Sequence, residues 1–323
     1  MYLEEKDYER QMKEEVLPYL NSMKVSGYSK RIQRKPLYYE GFCPDKFKGT
    51  VVILHGYSEC MEKFKEAAYY FVKSGYQVFL LDQVGHGKSY RFVPEDTSLI
   101  HVNHFEEYVI DLHYFIEGTV RKCAEEKPIY LYGHSMGGAV IAYYLELYPK
   151  AISKAVLSAP MMGIKCGKYP ASLVRMVAGF KVRNGKKFQY AKGHHAYDGV
   201  YKFEKSQGLS EPRYAYTYAY RSTNEEYQTN APSYGWMYQS LRACRRILNP
   251  IWTKYIQADV LLLQAGKDKV VKNKAQDKFL DRLPKGRGTR IIYEDSKHEI
   301  FMDSTEKIEI YWNQIFDYLE SSN

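Results

Sequence analysis

The chain has 323 residues, of which 45% are hydrophobic and 26% charged, so it can form one large globular domain with an insertion, or two domains. The net charge of +9 would fit a protein that binds nucleic acid, an anionic membrane or an acidic substrate. The five cysteines are scattered and form no Cys-x-x-Cys pair, which argues against a zinc site and a disulfide framework. No run of about 18 apolar residues and no signal-like N-terminal stretch is present, so we expect a cytoplasmic protein without a membrane-spanning helix.

The predicted elements, in chain order, begin with a helix near residues 3–23 and two strands between Gly27 and Cys43, joined by a turn near Lys35-Pro36. Short apolar runs then predict buried strands at residues 50–54, 76–81, 128–132, 155–158, 259–263 and 289–293. Helices are predicted at residues 61–73, 105–125, 138–145, 274–283 and 305–319. This alternation indicates a mostly parallel sheet with helices on both faces, which binds ligands at the carboxyl ends of its strands.

A Gly-x-Ser-x-Gly motif runs from Gly133 to Gly137, between a predicted strand and a predicted helix. In that position it is typical of a nucleophile elbow, where side chains at the flanking positions would collide and glycine is needed. A chance serine in a glycine-rich turn is the alternative. The prediction that Ser135 is a nucleophile therefore depends on a base, an orienting acid and an oxyanion hole elsewhere in the chain.

Two polar residues that suit the same site, Asp268 and His298, follow the last two predicted strands. The order Ser135, Asp268, His298 matches one of the known chain orders of a Ser-His-Asp triad. In this prediction His298 takes the serine proton and passes it to the leaving group, while Asp268 orients the imidazole and stabilises its cation. A turn aspartate and a surface histidine are the alternatives, and Asp295 is a rival for the acid.

An oxyanion hole needs two backbone N–H donors. We predict that Met136, directly after the nucleophile, supplies one of them. The second should come from the loop that follows the strand at 50–54, which begins His55-Gly56, and the N–H of Tyr57 is our choice.

Taken together, these motifs resemble the α/β-hydrolase superfamily over nearly the whole chain, and within it the L2-type lysophospholipases and monoacylglycerol lipases. The stretches that carry the resemblance are HGYSE at 55–59, DQVGHGKS at 82–89, GHSMGG at 133–138, AGKDKVV at 265–271 and SKHE at 296–299. In addition, APSYGW at 231–236 is similar to a Pro-Thr-Tyr-x-Trp stretch of the L2 group. Gln83-Val84 departs from the pattern, because relatives usually carry a basic pair such as His-Arg there.

The alternation of strands and helices stops between about residues 163 and 250. The resemblance implies that 163–250 form a mainly helical lid over the serine, while 1–162 and 251–323 form the α/β-hydrolase core. The insertion contains 15 basic and 5 acidic residues, a difference of +10, so it carries essentially all the excess positive charge. A basic, aromatic lid suits an anionic membrane or a phosphate head group, and a merely solvated basic surface is the alternative.

Two details of the insertion lead to separate expectations. Alternating tyrosines at 214, 216, 218 and 220 would fit a strand face, but the resemblance favours a helix. Basic side chains cluster at two places where the lid would meet anionic lipid: Lys181, Arg183, Lys186 and Lys187, and Arg242, Arg245 and Arg246.

The sequence therefore predicts a serine carboxylic-ester hydrolase that cleaves single-chain acyl lipids, either lysophospholipids or monoacylglycerols, without a metal or cofactor. A small-ester esterase and a proline-type aminopeptidase are alternatives on the same fold. A non-catalytic binding module is disfavoured because the triad is intact, and nucleic-acid binding because no nucleic-acid motif accompanies the charge.

Overall fold

The computed structural model of the protein describes residues 2–29 and 35–321. The chain between the first two strands, where the sequence predicts a turn, is therefore described from residue 35 onward. The strands are β1 (Lys24–Ser29), β2 (Leu37–Phe42), β3 (Thr50–Leu54), β4 (Gln77–Leu81), β5 (Leu99–Ile100), β6 (Ile129–His134), β7 (Lys154–Ser158), β8 (Ala231–Pro232), β9 (Asp259–Ala265) and β10 (Gly288–Tyr293). The helices are α1 (Tyr8–Gln11), α2 (Leu17–Asn21), α3 (Lys65–Lys73), α4 (Glu106–Phe115), α5 (Arg121–Cys123), α6 (Met136–Leu147), α7 (Ala171–Arg183), α8 (Glu211–Thr223), α9 (Tyr234–Ile247), α10 (Pro250–Thr253), α11 (Asn273–Leu280) and α12 (Thr305–Glu320).

Eight of the strands form one sheet in the order β1-β2-β4-β3-β6-β7-β9-β10. β2 pairs antiparallel with both β1 and β4, and the other neighbouring pairs are parallel. The mostly parallel sheet predicted from the sequence is therefore confirmed. β6 lies in the middle, between β3 and β7, so the loop after β3 flanks the carboxyl end of β6.

The inner strands β3, β4, β6, β7 and β9 are buried on both faces, which explains why they are apolar runs instead of alternating patterns. In β3, Val52 and Leu54 contribute to one hydrophobic cluster, whereas Val51 and Ile53 contribute to a second cluster. Successive side chains of a strand point to opposite faces, so the two clusters are the cores above and below the sheet. Helices α4 and α6 supply the first core, and α3 and α12 supply the second.

Residues 163–250, which the sequence assigns to an insertion, contain α7, α8, α9 and the two-residue strand β8. The alternating tyrosines lie on α8, so the prediction of a helix there is confirmed. β8 pairs in parallel with β5, which joins this segment to the chain after β4. Among the described residues, no helix has the length and the apolar character needed to cross a bilayer.

Candidate active site

Ser135 lies between the end of β6 and the start of α6, as the motif predicts. Its backbone has a φ of 51° and a ψ of −113°, a strained conformation that non-glycine residues rarely adopt. Glycine is needed at the two flanking positions because any side chain there would collide with nearby backbone atoms. A Cβ on Gly133 would lie 2.7 Å from the Gly137 carbonyl carbon, and a Cβ on Gly137 would lie 2.3 Å from the Leu54 carbonyl oxygen.

The three predicted triad residues meet at the carboxyl edge of the sheet. His298 Nε2 lies 2.8 Å from Ser135 Oγ, and His298 Nδ1 lies 2.6 Å from Asp268 Oδ2. All three residues are buried. With the Nδ1–H donating to the carboxylate, Nε2 is free to accept the serine proton.

Asp268 is held as a charged carboxylate by its surroundings. Its Oδ1 accepts hydrogen bonds from the backbone N–H groups of Val270 at 2.7 Å and Val271 at 2.9 Å. Burial raises the pKa of Asp268, but the contact with His298 and these two N–H donors outweigh it, so the pKa lies below its ordinary value. The rival acid, Asp295, is exposed and pairs with Lys267 at 2.6 Å.

The loop after β3 passes directly beside the serine. A Cβ on Gly56 would lie 3.1 Å from Ser135 Cβ, so this glycine permits the close approach. Met136 is the first residue of α6, and the first N–H groups of a helix have no intrahelical acceptor. Within the described ranges, no hydrogen bond engages the backbone N–H of Tyr57. Both predicted oxyanion donors are therefore available at this edge of the sheet.

Gln83, where the sequence departs from the pattern of its relatives, forms two hydrogen bonds to His55 in the loop after β3. Its backbone N–H donates to His55 Nε2 at 3.0 Å, and its side-chain amide donates to the His55 carbonyl at 2.7 Å. The neighbouring Asp82 accepts hydrogen bonds from the N–H groups of Met61 and Lys88, at 2.9 and 3.0 Å. The turn after β4 thus supports the loop after β3 and has a structural role.

Sequence reasoning missed a largely buried ionic cluster of Glu59, Lys63 and Glu299, which joins two loops of the site. Lys63 Nζ lies 2.8 Å from a carboxylate oxygen of Glu59 and 2.8 Å from one of Glu299. Glu59 also accepts the N–H of Gly56 at 2.5 Å, and Glu299 directly follows His298. The i,i+4 spacing of Glu59 and Lys63 is visible in the sequence, but their contact with Glu299 is not.

Across residues 2–29 and 35–321, no three His, Cys, Asp or Glu side chains are grouped as metal ligands. The five cysteines carry free thiols.

Comparison with known proteins assigns the chain to a family. Residues 45–305 match the sequence profile of the family described as "Serine aminopeptidase, S33". Lysophospholipase L2 of Escherichia coli is 27% identical over 298 residues, covering 89% of this chain and 85% of that protein. A monoacylglycerol lipase of Mycolicibacterium smegmatis is 31% identical over 135 residues, covering 42% of this chain and 46% of that protein.

A similar fold occurs in a solved structure of a soluble variant of monoglyceride lipase from Saccharomyces cerevisiae. It superimposes with a TM-score of 0.74 at 18% identity, covering 93% of this chain and 96% of that one. The family match spans well over half of the chain. The chain belongs to the serine aminopeptidase S33 family of α/β-hydrolases and is an ester hydrolase of the lysophospholipase and monoacylglycerol lipase type.

Proposed function

We propose that the protein cleaves single-chain acyl lipids through an acyl-enzyme intermediate on Ser135, with His298 as the base and Asp268 as the orienting acid. The observation that carries this proposal is the hydrogen-bonded chain from Ser135 Oγ through His298 to Asp268, with contacts of 2.8 and 2.6 Å. The names of the relatives support the lipid substrate class.

Acylation begins when Ser135 Oγ attacks the ester carbonyl carbon while its proton moves to His298 Nε2. The N–H groups of Tyr57 and Met136 stabilise the negative charge that develops on the carbonyl oxygen. Collapse of the tetrahedral intermediate breaks the bond to the alcohol, which leaves with the proton from His298. Asp268 stabilises the imidazolium during this transfer.

Deacylation repeats the sequence with water as the nucleophile. His298 takes a proton from water, the hydroxide attacks the acyl carbon, and the proton then passes to Ser135 Oγ as the fatty acid leaves. Every proton moves between His298, serine, water and the leaving group, so these side chains suffice for the whole cycle.

The substrate class is tested with a panel of purified substrates. We expect p-nitrophenyl esters, lysophosphatidylcholine and monoolein to be hydrolysed, with the two lipids preferred over short soluble esters. Aminoacyl anilides should be cleaved poorly. A clear preference for the anilides would contradict the lipid proposal.

A proline-type aminopeptidase is the second candidate, because the matching family is described as a serine aminopeptidase. An aminopeptidase needs a group that receives the free amine of its substrate, usually a carboxylate. Glu59 and Glu299 are the carboxylates beside the triad, but both pair with Lys63. This pairing disfavours amine recognition at this place and supports the ester assignment.

We also propose that residues 163–250 act as a lid over the serine. Two contacts from this segment reach the predicted oxyanion loop. The ring of Trp236 packs 4.4 Å from that of Tyr57, and the Tyr57 hydroxyl donates to the Asn230 carbonyl at 3.2 Å. A lid that touches the oxyanion loop would both exclude water and steady the loop.

The proposed lid carries an apolar stripe suited to a membrane surface. Leu173, Met176, Val177 and Phe180 follow the i, i+3, i+4, i+7 pattern on α7 and are all exposed, Met176 by 65% and Phe180 by 63%. Of the predicted basic cluster next to them, Arg183 and Lys186 are exposed. An exposed apolar stripe with neighbouring positive charge is typical of a helix that lies in a lipid interface.

The second predicted cluster is less well suited to this contact. Arg242 and Arg245 are exposed, but Arg246 pairs with the buried Glu146 at 2.6 Å and packs on Trp252. We therefore propose that α7 and the residues that follow it, and not α9, contact anionic lipid.

Cosedimentation with vesicles of phosphatidylcholine and phosphatidylglycerol tests this contact. The double substitution Met176→Ser and Phe180→Ser, and the replacement of Lys181, Arg183, Lys186 and Lys187 by Gln, should each weaken binding at low salt. The matched control replaces four exposed lysines outside the proposed lid by Gln, namely Lys122, Lys150, Lys278 and Lys285. Equal binding by the parent and both lid variants would rule out the proposed surface.

A further inference from the structure

A cavity lined by several charged side chains opens between the predicted oxyanion loop and the proposed lid. Its walls include Tyr57, Ser58 and Glu59 from the loop after β3, and Glu299 from the loop that carries His298. The lining also includes Lys205 and residues of α8, among them Arg221. Glu299 directly follows His298, which in the proposed reaction hands its proton to the departing alcohol, so we assign this cavity to the leaving-group side of the ester.

The charges in this cavity are unevenly distributed. Glu59 and Glu299 share Lys63, which contacts both at 2.8 Å, so these three groups are already paired with one another. The wall from the proposed lid contributes two further cations, Lys205 and Arg221. Neither forms an ion pair with a carboxylate within residues 2–29 and 35–321.

Arg221 is half-buried and has hydrogen bonds to neutral oxygens only. Its Nε donates to the Tyr227 carbonyl at 3.2 Å, and its Nη2 contacts the Thr229 carbonyl and, at 3.5 Å, Asn230 Oδ1. In the described part of the chain no acceptor engages Nη1. A guanidinium held by carbonyl groups keeps its full positive charge and has a donor left for an anion.

We propose that this cavity binds the phosphate of a lysophospholipid head group through Arg221 and Lys205, which makes the protein a lysophospholipase in preference to a monoacylglycerol lipase. The inference rests on the proposed function, because it assigns the leaving-group side of the same site. In a lysophospholipid only the glycerol carbons separate the cleaved ester oxygen from the phosphate. A phosphate that reaches the two cations gains charge-assisted hydrogen bonds that a monoacylglycerol cannot form.

The test compares two substrates with the same acyl chain, 1-oleoyl lysophosphatidylglycerol and 1-oleoylglycerol, each at the same mole fraction in non-ionic detergent micelles. At a low mole fraction in non-ionic detergent the anionic substrate adds little charge to the micelle, which limits the contribution of surface charge to binding. Lys205→Glu changes an exposed side chain and should fold normally. Arg221→Gln and the conservative Arg221→Lys form the second pair of variants.

We expect Lys205→Glu and Arg221→Gln to lower kcat/KM for the lysophospholipid by about tenfold or more, mainly through KM, since loss of a nearby charge commonly has this effect. Hydrolysis of 1-oleoylglycerol should stay within about twofold of the parent. Arg221→Lys should retain most of the preference. Lys192→Glu, an equal change of charge on an exposed residue of the proposed lid outside the cavity wall, should leave both substrates unaffected.

Two results would overturn the inference while leaving the ester-hydrolase mechanism intact: an unchanged substrate ratio in Lys205→Glu, or an equal loss on both substrates in Arg221→Gln and Lys205→Glu. A parent protein that cleaves neither lipid would instead contradict the proposed function itself. Competitive inhibition by sn-glycerol 3-phosphate of the hydrolysis of a soluble ester gives an independent readout. Its inhibition constant should rise about tenfold in Lys205→Glu.

Discussion

At the scale of single residues, the choice between Asp268 and Asp295 is the sharpest question about the triad. Asp268 contacts His298 at 2.6 Å and is buried, whereas Asp295 is exposed and pairs with Lys267. Asp268→Asn should therefore lower kcat by about 10⁴-fold, because an amide favours the wrong imidazole tautomer. Asp295→Asn should change kcat by less than about twofold, since its pair is exposed. Steady-state hydrolysis of a p-nitrophenyl ester measures both, and the reverse order of effects would reassign the acid.

Lys63 links the predicted oxyanion loop to the loop that carries His298, because it pairs with both Glu59 and Glu299. We therefore expect Lys63 to be a positioning residue. Burial lowers the pKa of Lys63, but the two carboxylates together raise it by more than burial lowers it. The net shift of the pKa is upward, so the ammonium stays charged. Lys63→Met would leave two largely buried carboxylates without a cation and displace the loops. We expect kcat to fall by about 10²-fold with KM little changed.

Lys63→Arg provides the control for that experiment, because it keeps the charge and can bridge both carboxylates. Recovery of most of kcat in this variant is the expected result. A loss of thermal stability in Lys63→Met with no loss of kcat would show that the ionic cluster supports the fold alone.

At the scale of elements, the start of α9 is fastened to the core by His101. Its Nδ1 lies 2.8 Å from the hydroxyl of Ser233, which also caps α9 by accepting the N–H of Trp236 at 3.0 Å. Gly235 is required here, because a Cβ would lie 2.3 Å from the His101 ring. Since Trp236 packs on Tyr57, this fastening also extends to the predicted oxyanion loop.

The pH dependence of stability follows from the same histidine. Burial lowers the pKa of His101 to about 4, so the unfolded chain binds the proton more readily and stability falls as the pH drops below about 6.5. Between pH 7.5 and 5.5, His101 should account for about 1.4 kcal/mol of lost unfolding free energy. Urea denaturation at the two pH values should show that His101→Gln is less sensitive to pH by this amount. The exposed His104→Gln is the control, and equal pH sensitivity of His101→Gln and the parent would contradict the assignment.

Most elements could be predicted from local sequence, and α8 shows both the reach and the limit of that approach. Its alanines and the proline in its first turn favour a helix, as observed. Arg213, however, is fully buried and bonds both carboxylate oxygens of Glu66 and the Leu3 carbonyl. No local pattern predicts a buried arginine, because Glu66 and Leu3 lie more than 140 residues away in the chain.

At the scale of the whole molecule, the candidate site could be predicted because a parallel sheet gathers the ends of its strands at one edge. Ser135, Asp268 and His298 each follow a recognisable apolar strand, so their order and spacing carry the information. Two groups of residues could not be predicted from the sequence: the ionic cluster of Glu59, Lys63 and Glu299, and the cations Lys205 and Arg221 of the proposed phosphate-binding cavity. Their contacts join loops and helices whose relative positions depend on the packing of the whole chain.

The proposal that Ser135 is the nucleophile is tested most directly by combining fluorophosphonate labelling with ester turnover in Ser135→Ala. We expect the parent and the control Ser172→Ala, which changes an exposed serine on α7, to be labelled and active. Ser135→Ala should keep the circular dichroism spectrum of the parent, take up no label and lose about 10⁴- to 10⁶-fold in kcat. Labelling or turnover that survives in Ser135→Ala would place the nucleophile elsewhere and contradict the account.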